Sequence, residues 1–247
     1  MLSTLKNRLE QGCKTSKYPK EKVELVSRYR GLPEIHKDAP AELVARCADA
    51  CPQNAIDAEL KLIDIGRCVF CGTCERISEG RFVSFTRNFE LGVSEKAHLM
   101  TDGTLPDLAR HSRQHFKKLF GRSLQLRQVS AGGCNACEAD LNVLATPFFD
   151  LARFGINFVA SPRHADGIVV TGPISRNMKQ ALFDTLEAIP SPKVVIAVGS
   201  CTLSGGPFMG SPEITEGLDT LMDVDLFIPG CPPHPMTNLH ALLTFFK

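Results

Sequence analysis

The sequence has no tryptophan and only two tyrosines. No apolar run approaches the roughly 20 residues that a membrane-spanning helix needs. Neither charge is in excess: 28 Lys and Arg stand against 27 Asp and Glu, a formal net charge of +1 over 247 residues. A chain so balanced lacks the basic footprint expected of a partner for nucleic acid or an anionic membrane surface. Its opening residues, Met1 to Lys6, carry charge at once and hold no signal-peptide core, so a reducing compartment is expected. Disulfides are rare there, and a chain of this length can bury a core without them. Against these absences stand ten cysteines. Metal ligation is the reading that accounts for them.

Cys13 stands alone in a polar stretch and reads as an ordinary cysteine. The others form two groups, with none between Cys74 and Cys134. In the first group Cys68-Val69-Phe70-Cys71-Gly72-Thr73-Cys74 is a C-x2-C-x2-C triplet, and Cys51-Pro52 is a C-P pair. Bacterial ferredoxins use the run C-x2-C-x2-C-x3-C-P, whose fourth cysteine ligates the other cluster. On that register Cys51, Cys68, Cys71 and Cys74 complete one 4Fe–4S ligand set. A second set would need thiolates where the chain has Ala41, Val44 and Ser78, which leaves Cys47 as a bystander. The spacing predicts a ferredoxin fold that has lost one of its two clusters. Structural zinc is the competing reading, but it normally shows two cysteine or Cys/His pairs, not three thiolates spaced by two.

The second group is Cys134-Asn135-Ala136-Cys137, Cys201 and Cys231. Leu124–Val129 alternates like a strand and runs into Gly132-Gly133-Cys134. Lys193–Val198 reads as a buried strand before Gly199-Ser200-Cys201, and Asp225–Ile228 as another before Pro229-Gly230-Cys231. In an open parallel sheet the carboxyl ends of strands line one crevice, so four thiols distant in sequence are expected to converge. Four small buried hydrophobes are the bland alternative. The stretch Gly199–Pro207 lacks both G-x-x-x-x-G-K-[ST] and G-x-G-x-x-G, and it reads as a loop around a metal centre.

Four segments follow from these patterns. Residues 1–35 are polar with Pro and Gly breakers and read as an extended arm. Residues 36–95 carry the small α+β ferredoxin-like domain, with a helix before Cys51, a hairpin near Leu60–Ile65 and a strand at Arg81–Thr86. Residues 96–122 form a connecting segment with a helix over Leu108–Phe120, whose basic residues (Arg110, Arg113, Lys117, Lys118, with Arg122 just beyond) read as a solvated face. Residues 123–247 alternate strands and helices, predicting a parallel α/β sheet covered on both faces.

The stretches Gly132–Glu138, Arg153–Ile156, Ser161–Asp166, Gly199–Cys201 and Pro229–Pro233 resemble the small subunit of group 4 membrane-bound NiFe hydrogenases and the homologous subunit of respiratory complex I. The C-x-x-C-Glu form resembles the formate hydrogenlyase type, where complex I subunits usually have adjacent cysteines. Residues 1–95 are similar to the ferredoxin subunit of the same complexes, through Thr15–Pro19, Arg30–Glu34, Ala50–Ala55 and Gly66–Glu75. The resemblance implies a flavodoxin-like C-terminal domain and a proximal 4Fe–4S cluster on Cys134, Cys137, Cys201 and Cys231, hence two clusters in all. It implies an electron-transfer subunit fused to a ferredoxin, beside a hydrogenase large subunit or complex I 49 kDa-like subunit that holds any NiFe site. It implies membrane subunits and an electron donor or acceptor protein as partners, on the cytoplasmic face of the inner membrane; the alternative is a complex I-like or hydrogenase-related assembly without hydrogen chemistry. Glu138, next to Cys137, reads either as a proton-coupling group or as a helix-start carboxylate favoured by the dipole. Arg163 and His164 read as loop-holding or partner-facing residues.

Overall fold

The computed structural model describes residues 2–105 and 123–246. The expected helix at Leu108–Phe120 and the basic residues from Arg110 to Arg122 lie outside them.

Ten strands are described. The first unit contains β1 (Pro33–Ile35), β2 (Ile56–Asp57), β3 (Leu62–Asp64), β4 (Val83–Phe85) and β5 (Met100–Thr101). A helix, Ala41–Asp49, lies between β1 and β2, and a shorter one, Thr73–Ser78, between β3 and β4. The order is thus β-α-β twice over. The outer strands β1 and β4 pair antiparallel, and the inner β2 and β3 pair antiparallel, with β5 added beside β3. Two half-units back to back bring the loop after each helix, or before it, to the same region. Strands this short cannot stand alone in water. They are held by a buried cluster that includes Val44, Ile63, Phe82 and Val83, each at most 1% exposed.

The second unit is a five-stranded, wholly parallel sheet: β6 (Leu124–Ser130), β7 (Ile156–Phe158), β8 (Gly167–Thr171), β9 (Val194–Val198) and β10 (Leu226–Ile228). Across the sheet the order is β7-β6-β8-β9-β10. This is the flavodoxin-like 2-1-3-4-5 order, with its switch point between β6 and β8. The strands β8 (GIVVT) and β9 (VVIAV) are buried at every position, as the continuous apolar runs require. Side chains alternate between faces. Val169, Val194, Ile196 and Val198 point to one side, against Leu141 and the C-terminal helix Pro235–Phe246. Ile168, Val170, Val195 and Ala197 point to the other, against Leu182 of the helix Arg176–Glu187 and the core of the first unit. One hydrophobic cluster therefore joins both units. At β10, Val93 and Phe227 exchange backbone hydrogen bonds of 3.0 and 2.8 Å.

The N-terminal segment begins with a helix, Leu2–Gln11, and continues extended. Leu5 and Leu9 of the helix are exposed. The extended part lies on the second unit before entering the first. The Ser16 N–H donates to the Phe148 carbonyl (2.8 Å), the Tyr18 hydroxyl lies 2.6 Å from His240 Nδ1, and the Tyr29 hydroxyl lies 3.1 Å from Thr237 Oγ1. The helices expected at about 138–153 and 175–189 are Ala136–Val143, followed by a separate 3-10 turn at Leu151–Phe154, and Arg176–Glu187.

Burial lifts the Tyr18 hydroxyl to about 12, with Glu90 adding to it, so it stays protonated. Burial also depresses His240, against the opposing charge of Glu90, and depresses His234 beside Tyr29. A histidine depressed in the folded chain is protonated first in the unfolded one, so its stabilisation is present above the unfolded value and is lost as pH falls through the folded value. Hydrogen-exchange protection across residues 16–29, corrected for the base-catalysed intrinsic rate, is expected to be high at pH above about 6.5 and to fall below it. His240→Gln should weaken that response; an unchanged pH profile would exclude His240 as its source.

Candidate metal centres

The first candidate centre is built by two loops. Cys51 follows the helix Ala41–Asp49, Cys68 and Cys71 lie in the loop after β3, and Cys74 sits in the first turn of Thr73–Ser78. All four line one cavity of about 370 Å³, open solvent included, with Ala55, Ile56, Ile63 and Phe85 among its apolar walls. Gly72 (φ +71°) turns the chain between Cys71 and Thr73; a Cβ there would meet the Arg30 guanidinium at 2.4 Å. The Ala55 N–H points at Cys51 Sγ (3.4 Å) and the Phe70 N–H at Cys68 Sγ (3.3 Å). Backbone N–H groups aimed at sulfur favour thiolate and are one means of setting a cluster's potential.

Burial, with a smaller contribution from neighbouring thiols (Cys47 among those acting on Cys74), pushes the Cys68 and Cys74 thiols up to about 12. Four mutually repelling thiolates need a cationic core to displace their protons. Among the described residues no three His, Cys, Asp or Glu side chains gather closely enough to hold a single ion. An all-thiolate set suits zinc or an iron–sulfur cluster, and the C-x2-C-x2-C spacing favours the cluster.

Cys47 is outside this cavity. It is fully buried, with its thiol directed at the Cys74 carbonyl (3.6 Å). Val44 and Ser78 are also fully buried, and Ala41 is exposed. Where the ferredoxin register would put further ligands, apolar packing and a backbone-bonded hydroxyl (Ser78 Oγ to Glu75 O, 3.4 Å) fill the space. Cys13 is exposed and remote from both groups. Its thiol is lowered by its bonds to Thr15 and by Arg8.

The second candidate centre lies at the carboxyl ends of β6, β9 and β10, as the strand reading anticipated. Cys134 sits in the loop after β6 and Cys137 in the first turn of Ala136–Val143. Cys201 occupies the first turn of a five-residue helix, Ser200–Ser204, where the sequence had suggested only a loop. Cys231 follows β10. Gly199 (φ +88°) brings these loops together: a Cβ there would fall 2.6 Å from Cys137 Sγ. Burial raises the Cys137, Cys201 and Cys231 thiols (Cys201 to about 11), and Cys134 adds to each. All four sulfurs are thus within electrostatic reach, although Cys134 and Cys231 remain exposed.

Glu138 is 6% exposed. Its Oε1 accepts hydrogen bonds from Ser130 Oγ at the end of β6 (2.5 Å) and Thr171 Oγ1 at the end of β8 (2.7 Å). It pins the first turn of its helix to both strands at the switch point, a role the helix-start reading contains and to which the two hydroxyls add the partners. Arg163 and His164 are exposed on a 3-10 turn between β7 and β8. Sequence reasoning missed Arg30, which reaches Gly72 from the arm, and Ser200, hidden between Gly199 and Cys201. Neither has a periodic or spacing signal.

Fold and site together define a flavodoxin-like α/β subunit with thiols collected at its strand ends. The family model described as NADH ubiquinone oxidoreductase, 20 Kd subunit, matches residues 134–245. The probable membrane-bound hydrogenase subunit mbhJ of Pyrococcus furiosus is 41% identical over 126 residues, 51% of this chain and 75% of the relative. Formate hydrogenlyase subunit 7 of Escherichia coli is 41% identical over 124 residues, 50% of this chain and about half (49%) of the relative. A chain in the structure of the membrane-bound sulfane sulfur reductase, an archaeal respiratory membrane complex, is 31% identical, with a TM-score of 0.45 over 52% of this chain and 72% of its own. The chain belongs to the family of the 20 kDa subunit of NADH:ubiquinone oxidoreductase, a family of oxidoreductase subunits that includes hydrogenase relatives. The family match begins at Cys134, and residues 2–105 lie outside it.

Two substitutions separate packing from ligation. Gly199→Ala, strained by about 1–3 kcal/mol in a backbone region that is essentially glycine-only and crowding Cys137 Sγ, is expected to lower the bound iron. Cys47→Ala is expected to cost stability of order 1 kcal/mol and to leave the bound iron unchanged. Loss of iron from the latter would make Cys47 a ligand.

Proposed function

We propose that this chain is the iron–sulfur electron-transfer subunit of a membrane-associated NiFe hydrogenase or formate hydrogenlyase-type complex. The observation that carries the reading is the presence of two four-thiol sets in contiguous units, the second on the fold and family of hydrogenase and complex I subunits. The first set, Cys51, Cys68, Cys71 and Cys74, suits one 4Fe–4S cluster in a ferredoxin-type domain (36–95) joined to the family domain (123–247). The second, Cys134, Cys137, Cys201 and Cys231, suits another. Such clusters pass single electrons without making or breaking bonds to carbon or hydrogen.

The chain's own residues supply ligation, burial and orientation. Apolar side chains line the first set, the N–H groups of Ala55 and Phe70 are aimed at its sulfurs, and Glu138 holds the helix bearing Cys137. Exposure of Cys134 and Cys231 leaves the second set open toward a large subunit, the chain that would carry any NiFe site. Among the described residues no helix is long and apolar enough to cross a membrane. Attachment to the cytoplasmic face through membrane subunits is therefore part of the proposal. Because the family spans both hydrogenases and NADH:quinone enzymes, a complex I-like role without hydrogen chemistry is the second reading. A copurifying large subunit with two C-x-x-C pairs supports the first reading, and one without them supports the second.

Anaerobically purified chain is expected to hold about eight iron atoms, from two four-iron clusters, and no stoichiometric zinc. About twelve would restore the missing ferredoxin cluster, and about four would leave one set empty. Cys71→Ala is expected to abolish one low-temperature EPR signal and Cys231→Ala the other. Loss of both signals from either variant would contradict two independent ligand sets.

A further inference from the structure

The two thiol sets meet at one buried hydroxyl. Ser200 is 1% exposed. Its Oγ lies 2.8 Å from the carbonyl oxygen of Cys68, a member of the first set, and 3.1 Å from that of Gly230. The Gly230 carbonyl already accepts the Ser200 N–H at 2.8 Å, so the hydroxyl proton is best placed on Cys68. Ser200 is bonded through its own carbonyl to Cys201, and Gly230 through its carbonyl to Cys231. A single side chain thus stands between a residue of the first set and the peptide units of two residues of the second.

The neighbouring contacts between the units are different. Ser204, one turn further on, lies 3.0 Å from the Ser200 carbonyl of its own helix, and across the units it reaches only the Gly66 carbonyl (3.3 Å), two residues short of Cys68; Leu203 packs near Gly66. The Lys96–Asp219 ion pair (2.7 Å) is on the surface. None of these ends on a thiol-bearing residue.

We infer that Ser200 is the bridge through which the two centres exchange electrons. The inference rests on the two-cluster reading above. In each transfer one electron leaves one centre, which is oxidised, and arrives at the other, which is reduced. No bond forms or breaks, and the Ser200 proton stays on its oxygen. The route runs from Cys68 Sγ through its own backbone to the carbonyl, across the hydrogen bond to Ser200, and along the peptide to Cys201 Sγ. Without the hydroxyl it is broken by a gap between two non-bonded units. Ser200 is also a positioning residue, since its bond seats the Cys68 loop on the helix Ser200–Ser204.

The test uses the full chain, loaded with iron and sulfide anaerobically. After pulsed one-electron reduction, the rate at which the electron redistributes between the two EPR signals is measured. Spin–spin broadening of the doubly reduced chain reports their separation. Ser200→Ala is expected to keep both signals and the broadening and to slow redistribution several-fold. Ser200→Thr should recover the rate, and Ser204→Ala should leave it unchanged. Redistribution at the native rate in Ser200→Ala overturns the inference, as does slowing that only accompanies lost broadening, because the hydroxyl would then merely hold the units together. If Ser200→Ala fails to retain iron, Ser200→Thr and Ser200→Val, similar in volume and differing in the hydroxyl, decide: equal rates overturn the bridge, and a slower valine variant supports it. Absence of one signal from the unmodified chain would instead sink the two-cluster reading.

Discussion

A parallel sheet must be covered on both faces, and here the two covers are unlike. One face is sealed by helices of its own unit, among them Pro235–Phe246. The other is sealed partly by Arg176–Glu187 and partly by the whole first unit, whose Val44, Ile63 and Phe82 share one buried cluster with Ile168, Val170 and Ala197. Burying a side chain of this kind contributes about 1.5–3 kcal/mol, so the join is a core and not a surface contact. The relative placement of the two thiol sets follows from it. The loop carrying Cys68 has no freedom to drift from the helix carrying Cys201, because the strands behind each are packed into the same interior.

That the first unit gathers one four-thiol set and not two is also a packing matter. A cluster site is a hole in an apolar core that only a cluster can fill. Where its thiolates are absent, side chains must take the space or leave a costly void. Val44, Cys47 and Ser78 take it, all fully buried. The unit has its doubled β-α-β order around one four-thiol cavity, and Val44, Cys47 and Ser78 are ordinary interior.

Much of this was legible in the residues. The unbroken apolar runs of β8 and β9 could only be strands covered on both sides. The position of Cys134, Cys201 and Cys231 just beyond strands put them at one end of a parallel sheet, where the structure has them. The C-x2-C-x2-C triplet and the C-P pair named four thiols that do line one cavity. What stayed hidden depends on single long-range contacts. Ser200–Ser204 is too short to show a helical period and sits among glycines, so it read as loop. The helix Leu2–Gln11 is largely polar, and its few leucines gave no clear face. Arg30, Tyr18 and Tyr29 belong to a stretch with no pattern of its own. Their importance comes from where the chain folds back, which local sequence does not record.

That fold-back sets an order of events. Tyr18 meets His240, 222 residues later in the chain, and Tyr29 meets Thr237. Contacts so distant in sequence carry the loop-closure cost that slows folding. During synthesis residues 16–29 emerge more than 200 residues before the helix on which they dock. The strap across the second unit can close only once residues 235–246 are made and packed on the sheet. A C-terminal truncation that removed Pro235–Phe246 would therefore leave both ends undone: half the cover of the sheet would be gone, and residues 16–29 would have no place to dock.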